Sequence, residues 1–185
     1  MDKFKLIETA IKDLVVIETR VFKDERGFFI ESYNYREFEK YGINVQFVQD
    51  NHSHSKKGVL RGLHFQLKYP QGKLVRVVKG RVFDVAVDLR KNSSTFKKWF
   101  GVELSSDNNL QLYIPPCFAH GFLTLEEGTD FFYKCNDYYR PEDEMGIIWN
   151  DRTIGINWPL ESVERLIISE KDHNLPELEE VIKFL

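Results

Sequence analysis

Lys73-Leu74-Val75-Arg76-Val77-Val78-Lys79-Gly80-Arg81-Val82-Phe83-Asp84-Val85-Ala86-Val87-Asp88-Leu89 is the stretch that decides the fold class. Two runs rich in β-branched residues flank a single glycine, the composition of strands rather than of helix. Side chains alternate across a strand, so Val82, Asp84 and Ala86 share one face while Phe83, Val85 and Val87 share the other. The pattern predicts two strands, 73–79 and 81–89, joined by a tight turn at Gly80 into a hairpin.

The same texture continues on both sides. Short apolar or alternating stretches at 45–49, 99–104, 111–114 and 131–135 are broken by Gly, Asn, Asp or Pro at the spacing of all-β sandwiches and barrels. Helix signals are sparse: 35–41 reads as two turns ended by Gly42, and 160–166 as a similar short piece. No repeat, low-complexity tract or Pro/Gly/Ser-rich linker divides the chain, so a single domain over 1–185 is expected. The fold class that follows is all-β, an antiparallel β-barrel or jelly roll with a few short helices.

Composition narrows the function. The 185 residues are 42% hydrophobic, but in runs too short to span a bilayer, which predicts a soluble protein without a membrane partner. A net charge of −3 lacks the basic excess of a nucleic-acid binder, although a local basic cluster would still take a small anion. Met1-Asp2-Lys3-Phe4-Lys5 has no apolar signal core, and the two cysteines, Cys117 and Cys135, have no metal-type spacing. Both point to the cytoplasm and away from a disulfide framework.

Several clusters place polar groups where strand residues belong. Gln49-Asp50-Asn51-His52-Ser53-His54-Ser55 leads into Gly58-Val59-Leu60-Arg61-Gly62-Leu63-His64-Phe65-Gln66. In a regular strand His64 and Arg61 point to opposite faces; a bulge at Gly62 would bring them to the same side. His52-x-His54 suggests a metal cupin, but the following residues are Ser55, Lys56, Lys57 and Gly58 rather than a nearby Glu, so no metal is expected. Lys73 taken alone reads as an edge charge. Pro115-Pro116-Cys117-Phe118-Ala119-His120 reads as a rigid turn ending in a histidine between apolar neighbours. Cys117 has no orienting group that would make it a nucleophile. Tyr133 shares a face with Phe131 and Cys135 and is expected inside. Asp24-Glu25-Arg26-Gly27-Phe28-Phe29 sets an arginine beside two aromatics, and Ser169-Glu170-Lys171-Asp172 is a charged run of the kind that covers solvated faces.

Taken together, in order and wording, these blocks resemble the dTDP-4-dehydrorhamnose 3,5-epimerase family from Arg26 to Asp172. Asp24-Glu25-Arg26-Gly27, Gln49-Asp50-Asn51, Leu60-Arg61-Gly62-Leu63-His64, Gln71-Gly72-Lys73, Phe118-Ala119-His120-Gly121-Phe122, Tyr133-Lys134, Trp158-Pro159 and Ser169-Glu170-Lys171-Asp172 carry the likeness. The resemblance implies a cupin-like jelly roll that forms a homodimer by sharing strands, acts on a dTDP-linked 4-keto-6-deoxy sugar and needs no cofactor. It implies His64 as proton acceptor, Tyr133 as donor from the opposite face and Lys73 at the enolate oxygen. Asp172 would orient His64, with Asp84 a second candidate. Arg26, Arg61 and Lys171 would meet phosphates, and Phe28 or Phe29 the thymine. Glu31, Gln49, Asn51, His120 and Glu144 would meet the remaining polar groups of sugar and base.

Such chemistry needs this kind of set. A C–H beside a keto group is acidic only if the enolate is stabilised as it forms, and inversion needs a base on one face with an acid on the other. The keto group is already in the substrate, which agrees with the lack of a G-x-G-x-x-G dinucleotide fingerprint. Alternatives in the same fold are a single-carbon epimerase, a ketoisomerase of a related sugar, a metal-dependent cupin and a non-catalytic nucleotide-sugar binding module.

Overall fold

The computed structural model describes residues 2–185. In chain order the strands are β1 (Phe4–Glu8), β2 (Val15–Thr19), β3 (Val21–Asp24), β4 (Gly27–Ile30), β5 (Gln49–Ser55), β6 (Val59–Gln66), β7 (Lys73–Lys79), β8 (Arg81–Asp88), β9 (Trp99–Ser105), β10 (Leu110–Ile114), β11 (Phe118–Thr124), β12 (Thr129–Cys135), β13 (Glu144–Gly146) and β14 (Ile167–Ile168). Helices α1 (Tyr35–Lys40), α2 (Glu170–His173) and α3 (Leu178–Val181) are short, as the scarcity of helix signals implies. Among the described residues no helix is long and apolar enough to cross a membrane.

Two sheets carry the structure. One runs β1-β2-β10-β7-β12-β5, entirely antiparallel; the other runs β13-β6-β11-β8-β9, with β14 parallel against β6. A separate two-stranded ribbon is made by β3 and β4. The sheets pack face to face over Val16, Val75, Val77 and Leu112 from the first and Val82, Ala86, Leu104 and Phe122 from the second. The far side of the second sheet is covered by the C-terminal segment, where Val85, Val87, Leu63 and Leu123 meet Ile147, Ile154, Trp158 and Leu178. The far side of the first is partly covered by α1 and the residues after it, through Phe4, Ile17, Leu74, Phe38 and Ile43. With both faces covered, β11 is buried at all seven positions, as expected of a strand sandwiched between two apolar layers. This is the expected all-β, cupin-like jelly roll.

The predicted hairpin at Gly80 is not formed. Both strands exist and their faces divide as the alternation implies, but β7 lies in one sheet and β8 in the other. A tight hairpin needs two residues at its turn, whereas only Gly80 separates these strands. At φ +80 it turns the chain from sheet to sheet, pressed so closely on Thr129 that a Cβ would lie 2.3 Å from Oγ1. β12 then pairs with β7, and β11 with β8.

Three smaller expectations also change. Residues 45–48 are irregular, held by packing of Val45 and Phe47 near Tyr33, and the strand begins only at Gln49. The stretch 160–166 contains one 3-10 turn, Leu160–Ser162, before the chain extends to pair with β6. Residues 118–120 are not a turn: the turn is Pro115 to Cys117, with Cys117 at φ +67, and His120 sits within β11. By contrast α1 forms where read, with the Asn34 side chain accepting from the N–H groups of Arg36 and Glu37 at its start and Gly42, at φ +81, beyond its end.

Candidate active site

The site lies at the end of the sandwich where β5, β7 and β12 of one sheet face β6 and β11 of the other. Its key backbone device is at Gly62. His120 pairs with His64 and Phe122 with Arg61, so two residues of β6, Gly62 and Leu63, oppose the single Gly121 of β11. This is the expected bulge, and it brings Arg61 and His64 to one cavity. Gly62 has φ +106, and an added Cβ would fall 2.6 Å from the His120 carbonyl oxygen, so only glycine fits.

His64 Nε2 donates to Asp172 Oδ1 at 2.7 Å, and the Gly62 N–H donates to Asp172 Oδ2 at 3.1 Å. A carboxylate only accepts, so Nε2 carries a proton, and in the neutral imidazole the lone pair is on Nδ1. Asp172 is held by α2, whose first turn is capped by Ser169 Oγ accepting from the Asp172 N–H. Burial by itself would raise the Asp172 carboxyl, but the His64 hydrogen bond and charge and the Gly62 N–H outweigh it and hold the group below its ordinary value. Of the two candidates for orienting His64, Asp172 is the one in contact; Asp84 instead accepts from His120 Nε2 at 2.9 Å.

Two cavities, about 280 Å³ and 310 Å³, are both lined by His64, Lys73 and Tyr133. Lys73 enters at the start of β7, so it is a cavity residue rather than an edge charge, and desolvation lowers its pKa against the nearby Cys135, Asp84 and Glu144. Tyr133, on β12 between Phe131 and Cys135, is pushed up to about 12 by burial and so stays protonated. Gln49, Asn51 and Glu144 line the first cavity; Arg61, His120, Lys171 and Asp172 line the second. Lys171 pairs with Glu144, tying α2 to β13 across the site. Glu144 also accepts from the Tyr139 hydroxyl at 2.8 Å. A larger cavity of about 890 Å³ lies at the loop 8–15, and no histidine lines it.

Four of the expected residues stand elsewhere. Arg26, Phe28, Phe29 and Glu31 line neither cavity. Arg26 pairs with Asp24 on the ribbon, Glu31 with Lys3, and Phe28 and Phe29 are 63% and 68% exposed. Among the polar cavity residues that the sequence reading did not assign to the site are Tyr139, Gln71, Gln66, Ser53 and Ser169. Tyr139 and Gln71 lie outside the strands, where periodicity gives no orientation; Ser53 was readable, because on β5 it follows Gln49 and Asn51 at alternate positions. His52 and His54 occupy the other face of β5, exposed, and both hydrogen-bond Asp130. Among the described residues no three His, Cys, Asp or Glu side chains converge as metal ligands do.

The arrangement can abstract and return a proton: an imidazole oriented by a carboxylate, a protonated phenol and a buried lysine share one enclosure. Comparison with known proteins gives this geometry its context. The model of the dTDP-4-dehydrorhamnose 3,5-epimerase family matches residues 8–180. Over 180 residues the chain is 56% identical to the dTDP-4-dehydrorhamnose 3,5-epimerase of Escherichia coli, covering 96% of each. It is 54% identical to that of Methanothermobacter thermautotrophicus, covering 97% of each. Among solved structures, the dTDP-6-deoxy-D-glucose-3,5-epimerase of Legionella pneumophila, in complex with dTDP-4-keto-L-rhamnose, superimposes with a TM-score of 0.95 at 48% identity, over 98% of this chain and 97% of that one. With the match running almost end to end and across every strand that builds the cavity, the chain belongs to the dTDP-4-dehydrorhamnose 3,5-epimerase family.

Proposed function

We propose that the protein is a metal-independent epimerase converting dTDP-4-dehydro-6-deoxy-D-glucose to dTDP-4-dehydro-L-rhamnose, in the route to dTDP-L-rhamnose. The observation that carries this is the presence of His64, Tyr133 and Lys73 around one enclosure, with His64 held by Asp172. His64 Nδ1 takes the proton from the carbon beside the keto group, and the C–H electrons move through the new C=C onto the keto oxygen. The Lys73 ammonium stabilises that enolate oxygen as its charge develops. When the enolate collapses, its carbon takes the Tyr133 proton on the opposite face, inverting the centre. Return of the proton from His64 to the tyrosinate through solvent resets the pair, and the second carbon flanking the keto group reacts in the same way.

Arg61 and Lys171 supply positive charge for the diphosphate; Gln49, Asn51, His120 and Glu144 supply polar partners. Arg26, Phe28, Phe29 and Glu31 reach substrate in this reading only if the exposed β3–β4 region serves a neighbouring copy, which supports a homodimer. Free thiols at Cys117 and Cys135 support a reducing, cytoplasmic setting.

The test is proton NMR of chelator-treated protein with the 4-keto sugar nucleotide in deuterated water. Deuterium is expected at sugar carbons 3 and 5. Entry at one carbon makes the protein a single-site epimerase, and entry at neither overturns the proposal.

A further inference from the structure

We infer that Asp84 is a positioning residue for this reaction: one oxygen fixes the proton of His120 and the other supplies the counter-charge for Lys73. The inference rests on the proposed epimerase reading. Asp84 lies on β8 between Val82 and Ala86, on the face that packs into the apolar interior between the sheets. A valine or leucine would suit that position; a carboxylate there needs a reason. Its Oδ2 accepts from His120 Nε2, while Oδ1 is buried with no hydrogen-bond partner among the described residues. An unpaired buried carboxylate oxygen is costly unless a nearby charge offsets the desolvation.

Lys73 is the buried cation of the cavity that His120 also lines, beyond direct ion-pair distance of Asp84 but within reach of its charge. The groups acting on it are Cys135 from β12, Asp84 from β8 and Glu144 from β13, with His64, His120 and Tyr133 lining the same enclosure. Burial raises the Cys135 thiol and Tyr133, so both are neutral near pH 7, and lowers His120, which is neutral as well. Glu144 is already engaged by Lys171 and Tyr139. Asp84 is therefore the carboxylate with an oxygen to spare for Lys73. Desolvation drives a buried lysine toward its neutral form, in which it cannot stabilise an enolate by charge. A nearby carboxylate charge favours the ammonium, and the neutral His120 held through Nε2–H presents a fixed ring in the same wall.

Asp84→Asn keeps the size and the acceptor for His120 while removing the charge. At pH 8 kcat should fall on the order of 10²-fold. The alkaline limb of the kcat profile should move about 1–3 pH units lower, with KM and calorimetric affinity for dTDP unchanged. A merely structural role would lower the amount of folded enzyme without moving that limb; an unmoved limb with wild-type kcat overturns the inference.

A urea-unfolding cycle covers poor folding of the variant. Asp84→Asn should destabilise the wild type more than it destabilises Lys73→Met, in which Asp84 has already lost its partner. Equal loss in both backgrounds, up to failure of both to fold, also overturns it. Wild-type enzyme run in parallel separates the two readings, since absence of exchange there counts against the epimerase proposal, while the cycle still reports on Asp84 and Lys73.

Discussion

His64–Asp172 and His120–Asp84 are the same pair of side chains built twice, 2.7 Å and 2.9 Å long, on the neighbouring strands β6 and β11. They differ in what surrounds them. His64 keeps 28% of its side chain exposed while its carboxylate, 6% exposed, is brought in from α2 at the far end of the chain. His120 and Asp84 are 8% and 0% exposed, and both partners are strand residues of one sheet. The open imidazole, oriented from behind, suits a base that must meet a carbon acid. The sealed one, stacked 6.1 Å from Phe131, is part of the wall. Pairing with a carboxylate does not make a histidine catalytic; a lone pair with access does.

Breaking each pair in turn should give the largest contrast. His64→Ala should cut deuterium exchange at both sugar carbons by about 10²–10⁴-fold and lower the unfolding midpoint less than His120→Ala, because the ring is partly in solvent, water can enter the open cavity to replace it as donor, and Asp172 keeps the Gly62 N–H. His120→Ala should cost about 1–3 kcal/mol of stability as Asp84 loses its donor inside the core. Urea unfolding and NMR exchange on both variants check this; comparable stability losses would erase the distinction.

Tyr133→Phe sharpens the other side of the enclosure. The hydroxyl, pushed up to about 12, is a proton source over the working range, and the phenyl ring preserves the packing on Phe131. Abstraction by His64 should persist, so deuterium should still enter, but His64 would return it to the face it came from. Exchange without inversion is the expected outcome, read as deuterated substrate exceeding epimerised product. Loss of exchange and product in parallel would remove Tyr133 from the donor role.

How much of this was legible in the sequence depends on the range of the contact involved. Face assignment on β8, the bulge at Gly62 and the extent of α1 all follow from residue order within a few positions, and all appear in the structure. The partner of β7 did not, because strand pairing is a long-range choice and a single glycine is as compatible with a corner between sheets as with a poor hairpin. The polar strand β5 was obscure for a different reason: its inward residues face a cavity, so the hydrophobic alternation that marks strands is replaced by Gln49, Asn51 and Ser53. Tyr139 enters the site from an irregular segment, with no period to read. The choice between Asp172 and Asp84 as partner of His64 stayed open because sequence separation does not show which carboxylate reaches over 108 residues.

The smallest effect is expected from Asp172, and its sign is fixed by the direction of its shift. The His64 hydrogen bond and the Gly62 N–H, acting against burial, hold this carboxyl below its ordinary value in the folded protein. A depressed folded-state pKa contributes stability that is fully present above the unfolded value of about 4 and is lost as pH falls through the folded one. Asp172→Asn removes that titration and keeps one oxygen, which can accept from the Gly62 N–H or from His64 but not from both. Wild type should therefore exceed the variant in unfolding midpoint at pH 6, with the gap closing as pH is lowered below about 4. Parallel wild-type and Asp172→Asn curves across the acid range would show that α2 is held by packing alone, and that the carboxylate's contribution is confined to orienting the base.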